Sequence, residues 1–199
     1  MRLSIRQYGD PILRAKGERI SQIDERIRAL ANDMLETMHA ANGVGLAAQQ
    51  VGEALQLTVI DVSEAQDRPS TLKLNGAEAD PQRAMPVVLI NPRVTLGSEK
   101  SSGTEGCLSF PEITAEIERS EAVVVHAETI TGEPVTIEAT GLLARALQHE
   151  VDHLNGILFI DRMNSATKVA LASRLKRLQK ETRSGEVHRG PVRLGQSAL

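Results

Sequence analysis

Gly141-Leu142-Leu143-Ala144-Arg145-Ala146-Leu147-Gln148-His149-Glu150-Val151-Asp152-His153-Leu154-Asn155 decides how this chain folds. Apolar residues lie on most sides of the segment, and a helix that is apolar nearly all round is a buried one. Thr140 stands where an N-cap would and Gly156 where a C-terminal stop would. The expectation is a central helix with sheets packed against it. Within it, His149 and His153 fall one turn apart on the same face, so both imidazoles reach a single metal ion. Glu150 is rotated by about 100° from His149. It sits beside such an ion without ligating it, where a base takes a proton from an activated water.

A catalytic metal site takes three protein ligands and keeps one position open. The extended pattern HExxHxxGxxH fails here, because Gly156 is present but Phe159 stands at the third histidine. Asp161, Glu181 and Glu186 follow the helix, and none is well placed as a ligand. The best candidate lies upstream in Gly103-Thr104-Glu105-Gly106-Cys107-Leu108-Ser109-Phe110-Pro111, a glycine-punctuated loop with the only thiol of the chain. A thiolate suits zinc or ferrous iron, whereas a lone cysteine of ordinary kind is small core filler. The flanking glycines and the missing ligand favour Cys107 as the third donor. A third cluster is Gly43-Val44-Gly45-Leu46-Ala47-Ala48-Gln49-Gln50, whose two glycines allow close backbone approach to a ligand. It is not a phosphate loop, since the G-x-G-x-x-G spacing fails at Ala48 and no Lys-Ser/Thr follows.

The bulk properties fit one globular domain of 199 residues with 41% hydrophobic and 25% charged residues. No apolar run approaches the roughly 20 residues that span a bilayer. Met1-Arg2-Leu3-Ser4-Ile5-Arg6-Gln7 turns polar at once, so no secretory leader is expected and the cytoplasm, or an organelle counterpart, is the expected compartment. The net charge of −3 hides an asymmetry: from Asn164 onward there are eight Lys/Arg and two Glu. Tyr8, Phe110 and Phe159 are the only aromatics, which argues against a base-stacking nucleic-acid platform. No DNA or membrane partner is expected.

Tyr8-Gly9-Asp10-Pro11 reads as a turn leading into an extended piece. Asp24 to Ala41 is a helix with Ile27, Leu30, Met34, Leu35 and Met38 at 3–4 spacing, stopped by Asn42-Gly43. Strands are expected over Leu55–Val62, over Val87–Ile90 (ended by Asn91-Pro92), and over Ala122–Ala127 and Pro134–Ala139 as a hairpin. Ser63 to Pro86 reads as a long polar excursion. Ala166 to Lys180 is amphipathic: Leu171, Leu175 and Leu178 face inward, and Lys168, Arg174, Lys176, Arg177 and Lys180 stay wet. The expected organisation is a catalytic domain over 1–163, a basic C-terminal helix over 164–183 and a flexible tail over 184–199.

The three segments taken together resemble peptide deformylase, whose pattern is GxGxAAxQ, then EGCLS, then QHExDHLxG. Gly43 to Gln50, Glu105 to Ser109 and Gln148 to Gly156 match it in order, and the likeness spans roughly 150 residues in a pattern specific when complete. The resemblance implies an α+β single domain, with the HExxH helix amid mostly antiparallel sheets and a C-terminal helix behind. It implies hydrolysis of the N-formyl group from formyl-methionine at the start of new polypeptides. Cys107, His149 and His153 would hold one divalent metal, Fe2+ in the native protein, with Zn2+ or Ni2+ able to occupy the site. Glu150 would handle the proton of the water, and Gln50 and the Leu108 N–H would face the formyl oxygen.

Glu105 and Asp152 are candidates to orient ligand groups, with Asp152 equally readable as a plain ion-pair partner. Helix geometry nominates Leu142 and Ala146 for the methionine pocket, joined by Val44, Gly45 and Leu108. Arg145, if it lines the rim, would bias the second residue of the substrate. Formylated nascent peptides are the expected partners, and the basic helix could dock on the ribosome. Two other readings stay open. A metallopeptidase would use the same water and base, and a silent formyl-peptide binder would need neither Glu150 nor Gln50.

Overall fold

The computed structural model describes residues 1–65 and 67–185. Helix α1 (Glu25–Ala40) begins where the Asp24 carboxylate accepts from the Ile27 N–H at 3.0 Å. Nine strands follow or interleave: β1 (Gly45–Ala47), β2 (Leu57–Ile60), β3 (Leu72–Leu74), β4 (Ala77–Ala79), β5 (Val87–Leu96), β6 (Lys100–Glu105), β7 (Ala115–Ser120), β8 (Ala122–Glu128) and β9 (Pro134–Thr140). A one-turn α2 (Pro81–Ala84) precedes β5. The chain closes with α3 (Gly141–Leu154), α4 (Phe159–Arg162) and α5 (Ser165–Ser184). Seven strands form one antiparallel sheet in the order β1-β2-β5-β8-β9-β3-β4, and β6 pairs with β7 in a separate two-stranded sheet. This is the expected α+β architecture around the HExxH helix.

Every residue of α3 from Leu142 to Leu154 is buried. Leu142, Leu143, Ala146 and Leu147 pack against Ile60, Leu89, Val125 and Ile137 of the large sheet. Behind the thiol loop, Leu13, Cys107, Phe110, Ile117, Phe159 and Leu178 form a second cluster, which brings α5 against the metal side of the molecule. A third cluster seats Ile27, Met34 and Met38 of α1 on Leu46, Leu57, Val59 and Leu108. The helix is fixed across its axis as well. The Gln148 carboxamide exchanges hydrogen bonds with the backbone of Ser120, receiving from its N–H at 3.0 Å and donating to its carbonyl at 2.9 Å.

Several local expectations are corrected. Pro11–Arg14 is a 3-10 turn capped by Asp10, not an extended piece. Asn91-Pro92 does not end β5. The strand passes through a bulge between Ile90 and Arg93, with Asn91 at φ +52°. A bulge spares Pro92 the ladder bond it cannot donate, and the Asn91 side chain secures the kink by bonding Ile20 N and O, both at 2.9 Å. The Ser63–Pro86 excursion holds the β3–β4 hairpin and α2, and β3 extends the sheet from β9. Thr140 precedes α3 but does not cap it, since its hydroxyl pairs with Thr71 at 2.6 Å and Ser70 Oγ accepts from the Leu143 N–H at 2.9 Å instead. Helix α5 runs to Ser184, with Leu178 buried and Leu171 and Leu175 half-buried on the second cluster. The expected tail lies outside the described residues from position 186 onward.

Candidate metal centre

Strand β6 ends at Glu105, and a turn closed by Phe110 N–H on the Cys107 carbonyl at 2.8 Å aims the thiol at α3. Cys107 Sγ, His149 and His153 offer ligand atoms that all lie within 4.8 Å of one another, and all three residues are buried. Sγ stands 3.3 Å from His153 Nε2. Bonds of about 2.3 Å to sulfur and 2.0–2.1 Å to nitrogen give tetrahedral edges of roughly 3.3–3.6 Å, so the donor set fits a small divalent cation. Asp161, weighed as a ligand on sequence grounds, pairs with Arg14 at 3.0 Å and accepts from the Leu158 N–H at 2.9 Å. Phe159 is stacked edge-on against Phe110.

The orientation of His149 is set from behind. Its Nδ1 donates to Glu105 Oε2 at 3.1 Å, leaving Nε2 for the cation side. Glu105 is fully buried. It receives Arg119 Nε at 2.9 Å, Arg119 Nη2 at 3.0 Å and Arg145 Nη1 at 2.8 Å. Burial pushes the Glu105 carboxyl up, but hydrogen bonds from His149 and Arg119 outweigh it and hold it well below the usual carboxylate range. Asp152 continues the chain of charges, pairing with Arg119 and, at 2.6 Å, with Arg162. Among the described residues its side chain bonds to these two arginines and to no histidine or cysteine.

Arg119, Arg145 and Arg162 were not assigned these positions from sequence. The pattern Ala115-Glu116-Ile117-Glu118-Arg119 carries the signal for the first. Strand alternation buries Ala115, Ile117 and Arg119, and a buried guanidinium demands a carboxylate.

Glu150 is buried, and one of its carboxylate oxygens, Oε2, has no hydrogen-bond partner among the described residues. Burial pushes the Glu150 carboxyl up to about 7, near the range in which a general base is most effective. The Gly43–Gly45 segment explains its place. A Cβ at Gly45 would lie 2.3 Å from Glu150 Oε1, and one at Gly43 would lie 2.7 Å from Leu108 Cδ1. These glycines were expected to allow close approach to a ligand; the close approach seen is to Glu150 and Leu108. Gly45→Ala is expected to displace the carboxylate and lower turnover about 10²-fold, the scale of a 1 Å misplacement. Steady-state kinetics at unchanged metal content checks it.

Gln50 is oriented by its own turn. Its amide oxygen accepts from the Ala47 N–H at 2.8 Å, so Nε2 faces Cys107 Sγ at 3.4 Å and Ser109 Oγ at 3.3 Å. The Leu108 N–H donates to nothing among the described residues, while its carbonyl accepts from Gln7 at 3.4 Å. Gln50 Nε2 thus lies against the thiol, and the Leu108 N–H follows Cys107 directly in the chain.

A cleft of about 1020 Å³ opens from Gly106 along β6, with Leu142 and Arg145 of α3 on its other side. Ala146 is buried beside Leu142, and Val44 packs half-buried on the same cluster. Arg145 lines the cleft, as a rim residue would, but offers it little charge. Its guanidinium turns inward, is 6% exposed, and is shared among Glu105, the Ile117 carbonyl at 2.9 Å and the Ser101 carbonyl at 3.0 Å.

The profile of the polypeptide deformylase family matches residues 2–169. The chain belongs to that family. It is 45% identical to the peptide deformylase of Opitutus terrae over 186 residues, covering 92% of this chain and 96% of the relative. It is 44% identical to that of Methylacidiphilum infernorum over 180 residues, covering 90% and 94%. Among solved structures it is similar to a plant peptide deformylase, with TM-score 0.80, 37% identity and 96% of each chain covered. It is also similar to the peptide deformylase of Thermus thermophilus, with TM-score 0.77, 37% identity and 91% and 99% covered. The family is metal-dependent, and Cys107, His149 and His153 form a possible site for the ion. No helix among the described residues is long and apolar enough to cross a membrane.

Proposed function

We infer that this chain removes the N-formyl group from formyl-methionine at the N-terminus of newly made polypeptides, with Cys107, His149 and His153 holding the metal and Glu150 moving the proton. The activity is that of its family. The residue roles rest on one observation: a thiol and two imidazoles converge within 4.8 Å beside a buried carboxyl raised to about 7. Ferrous iron is the native metal in this reading, with zinc or nickel as substitutes. A bound divalent cation supplies Lewis acidity, polarising the formyl oxygen and making water acidic near neutral pH.

The chain's own groups do the rest. Glu150 takes a proton from the attacking water as the water oxygen bonds to the formyl carbon. Negative charge then gathers on the formyl oxygen, and Gln50 Nε2, which lies beside the thiol, and the Leu108 N–H would donate to it. The carbon–nitrogen bond breaks, Glu150 returns its proton to the departing amine, and formate leaves. Leu142, Ala146, Val44 and Gly45 hold the methionine side chain.

The test uses anaerobically purified protein. Amine release from formyl-Met-Ala is expected, abolished by a chelator and restored by Fe2+ above Zn2+, with unformylated peptide left intact. Cleavage of the unformylated peptide would favour the metallopeptidase reading instead. We place the reaction in the cytoplasm, or in an organelle that makes formylated chains.

We further propose that α5 docks on ribosomal RNA. Lys176, Lys180 and Arg183 are exposed on it. Deleting the helix would confound the test by uncovering Leu178 and its cluster, so charge reversal is the better probe. Lys176→Glu with Lys180→Glu is expected to reduce the salt slope of ribosome binding by about one per lysine; co-sedimentation indifferent to both would refute docking.

A further inference from the structure

Four consecutive residues, Ser101, Ser102, Gly103 and Thr104, line the cleft. Successive side chains of a strand point to opposite faces. A cavity lined by all four therefore lies against an edge of the strand, not a face. Among the described residues strand β6 is paired on one side only, to β7, so alternate residues turn N–H and C=O groups to its open edge, of the kind an extended peptide can use; the Ser101 carbonyl is held by Arg145. From Thr104 to Ser101 that edge covers about 10 Å at ~3.3 Å per residue, enough for three residues of a bound chain.

A two-stranded sheet is marginally stable alone, and something must hold this edge in place. Arg145 does so from α3. Its guanidinium donates to the Ser101 carbonyl in β6 at 3.0 Å, to the Ile117 carbonyl in β7 at 2.9 Å, and to Glu105 Oε1 at the end of β6 at 2.8 Å. Gly103 makes the fit possible, since a Cβ there would lie 3.1 Å from the guanidinium carbon. The same Glu105 orients His149. One side chain thus ties both strands of the cleft wall to the support of a metal-binding imidazole.

We propose that Arg145 is a positioning residue. It holds the β6 edge where substrate residues beyond the formyl-methionine lie, and so sets how far a longer nascent peptide improves catalysis. The proposal rests on the deformylase reading above. Its guanidinium is buried and bonded to Glu105 and two carbonyls, so it works by geometry and not by selecting substrate charge. Arginine is needed because a planar fork reaches acceptors on separate strands, whereas an ammonium is a single point. Glu105 keeps Arg119 and His149 when Arg145 is lost, so the metal site has support without it.

The experiment measures kcat/KM on formyl-Met-Ala and on formyl-Met-Ala-Ser-Ala-Ala with metal-loaded wild type, Arg145→Met and Arg145→Lys. Thermal midpoint and metal content are recorded for each. Wild type is expected to favour the longer peptide. In both variants the long-to-short ratio is expected to fall about tenfold, through KM. A merely structural role would lower both substrates together and leave the ratio unchanged, which would overturn the proposal. If Arg145→Met does not fold, Arg145→Lys decides: a wild-type ratio there would mean that charge suffices and would equally overturn it. Failure of wild type to hydrolyse formyl-Met-Ala would instead bring down the functional reading itself.

Discussion

Glu150→Gln is expected to lower turnover by about 10²–10⁴, the usual contribution of a positioned general base, with metal content unchanged. The carboxamide has the shape of the carboxylate and so respects the tight contact with Gly45, but it cannot accept and return a proton. Glu150→Ala should behave alike, showing that the loss is chemical and not steric. The pH dependence follows from the same burial. Glu150 works ionised, so activity is present above its pKa and lost as the pH falls through it. Burial sets that value at about 7, and a cation held by His149 and His153 favours the carboxylate and moves it lower. The acid limb of kcat/KM in wild type should therefore lie at or below neutrality and be missing from the residual activity of Glu150→Gln. A glutamine variant with wild-type turnover would remove this residue from the reaction.

Glu105→Gln is expected to damage stability and metal binding together. The carboxylate is the shared partner of Arg119 and Arg145, both buried. Removing one member of a buried charge set typically costs about 3–5 kcal/mol, roughly a 10 °C fall in thermal midpoint for a chain of this size. Metal affinity should fall about 10–100-fold, because the amide has one accepting oxygen in place of two and no charge, and Arg119 and Arg145 compete with His149 for it. The sign of the acid dependence is set by the folded-state carboxyl, which His149 and Arg119 hold below its ordinary value against the opposing effect of burial. Its contribution is full above the unfolded value of about 4.3 and is lost as the pH falls below that. Wild type should thus lose more stability than Glu105→Gln between pH 5 and 3. Equal acid slopes and equal metal affinity would remove Glu105 from its supporting place.

Much of the metal centre was legible in the sequence because helix geometry is local. His149, Glu150 and His153 owe their relation to a 3.6-residue period, and a three-ligand requirement sends the search to the only thiol. The supporting charges were not legible. Arg119 meets Glu105 across β6 and β7, and neither strand was anticipated. Lys100-Ser101-Ser102-Gly103-Thr104-Glu105 has almost no apolar content, since one edge faces the cleft and alternate side chains meet solvent. Arg145 looked exposed because arginine usually is, and only the fold reveals the three acceptors around it. Asn91-Pro92 read as a strand end because the rescue of that bulge comes from Ile20, far away in sequence.

The outermost strands of the large sheet carry a further consequence. Gly45–Ala47 at one margin and Ala77–Ala79 at the other are three residues each. A border so short offers little template for another chain to join, and Lys73 and Glu78 put opposite charges at the second one. The hairpin folded from the polar excursion therefore covers a longer strand: shortening it would bare the seven-residue Pro134–Thr140 strand as a new margin, and clumping at high concentration is then expected to rise before heat stability falls.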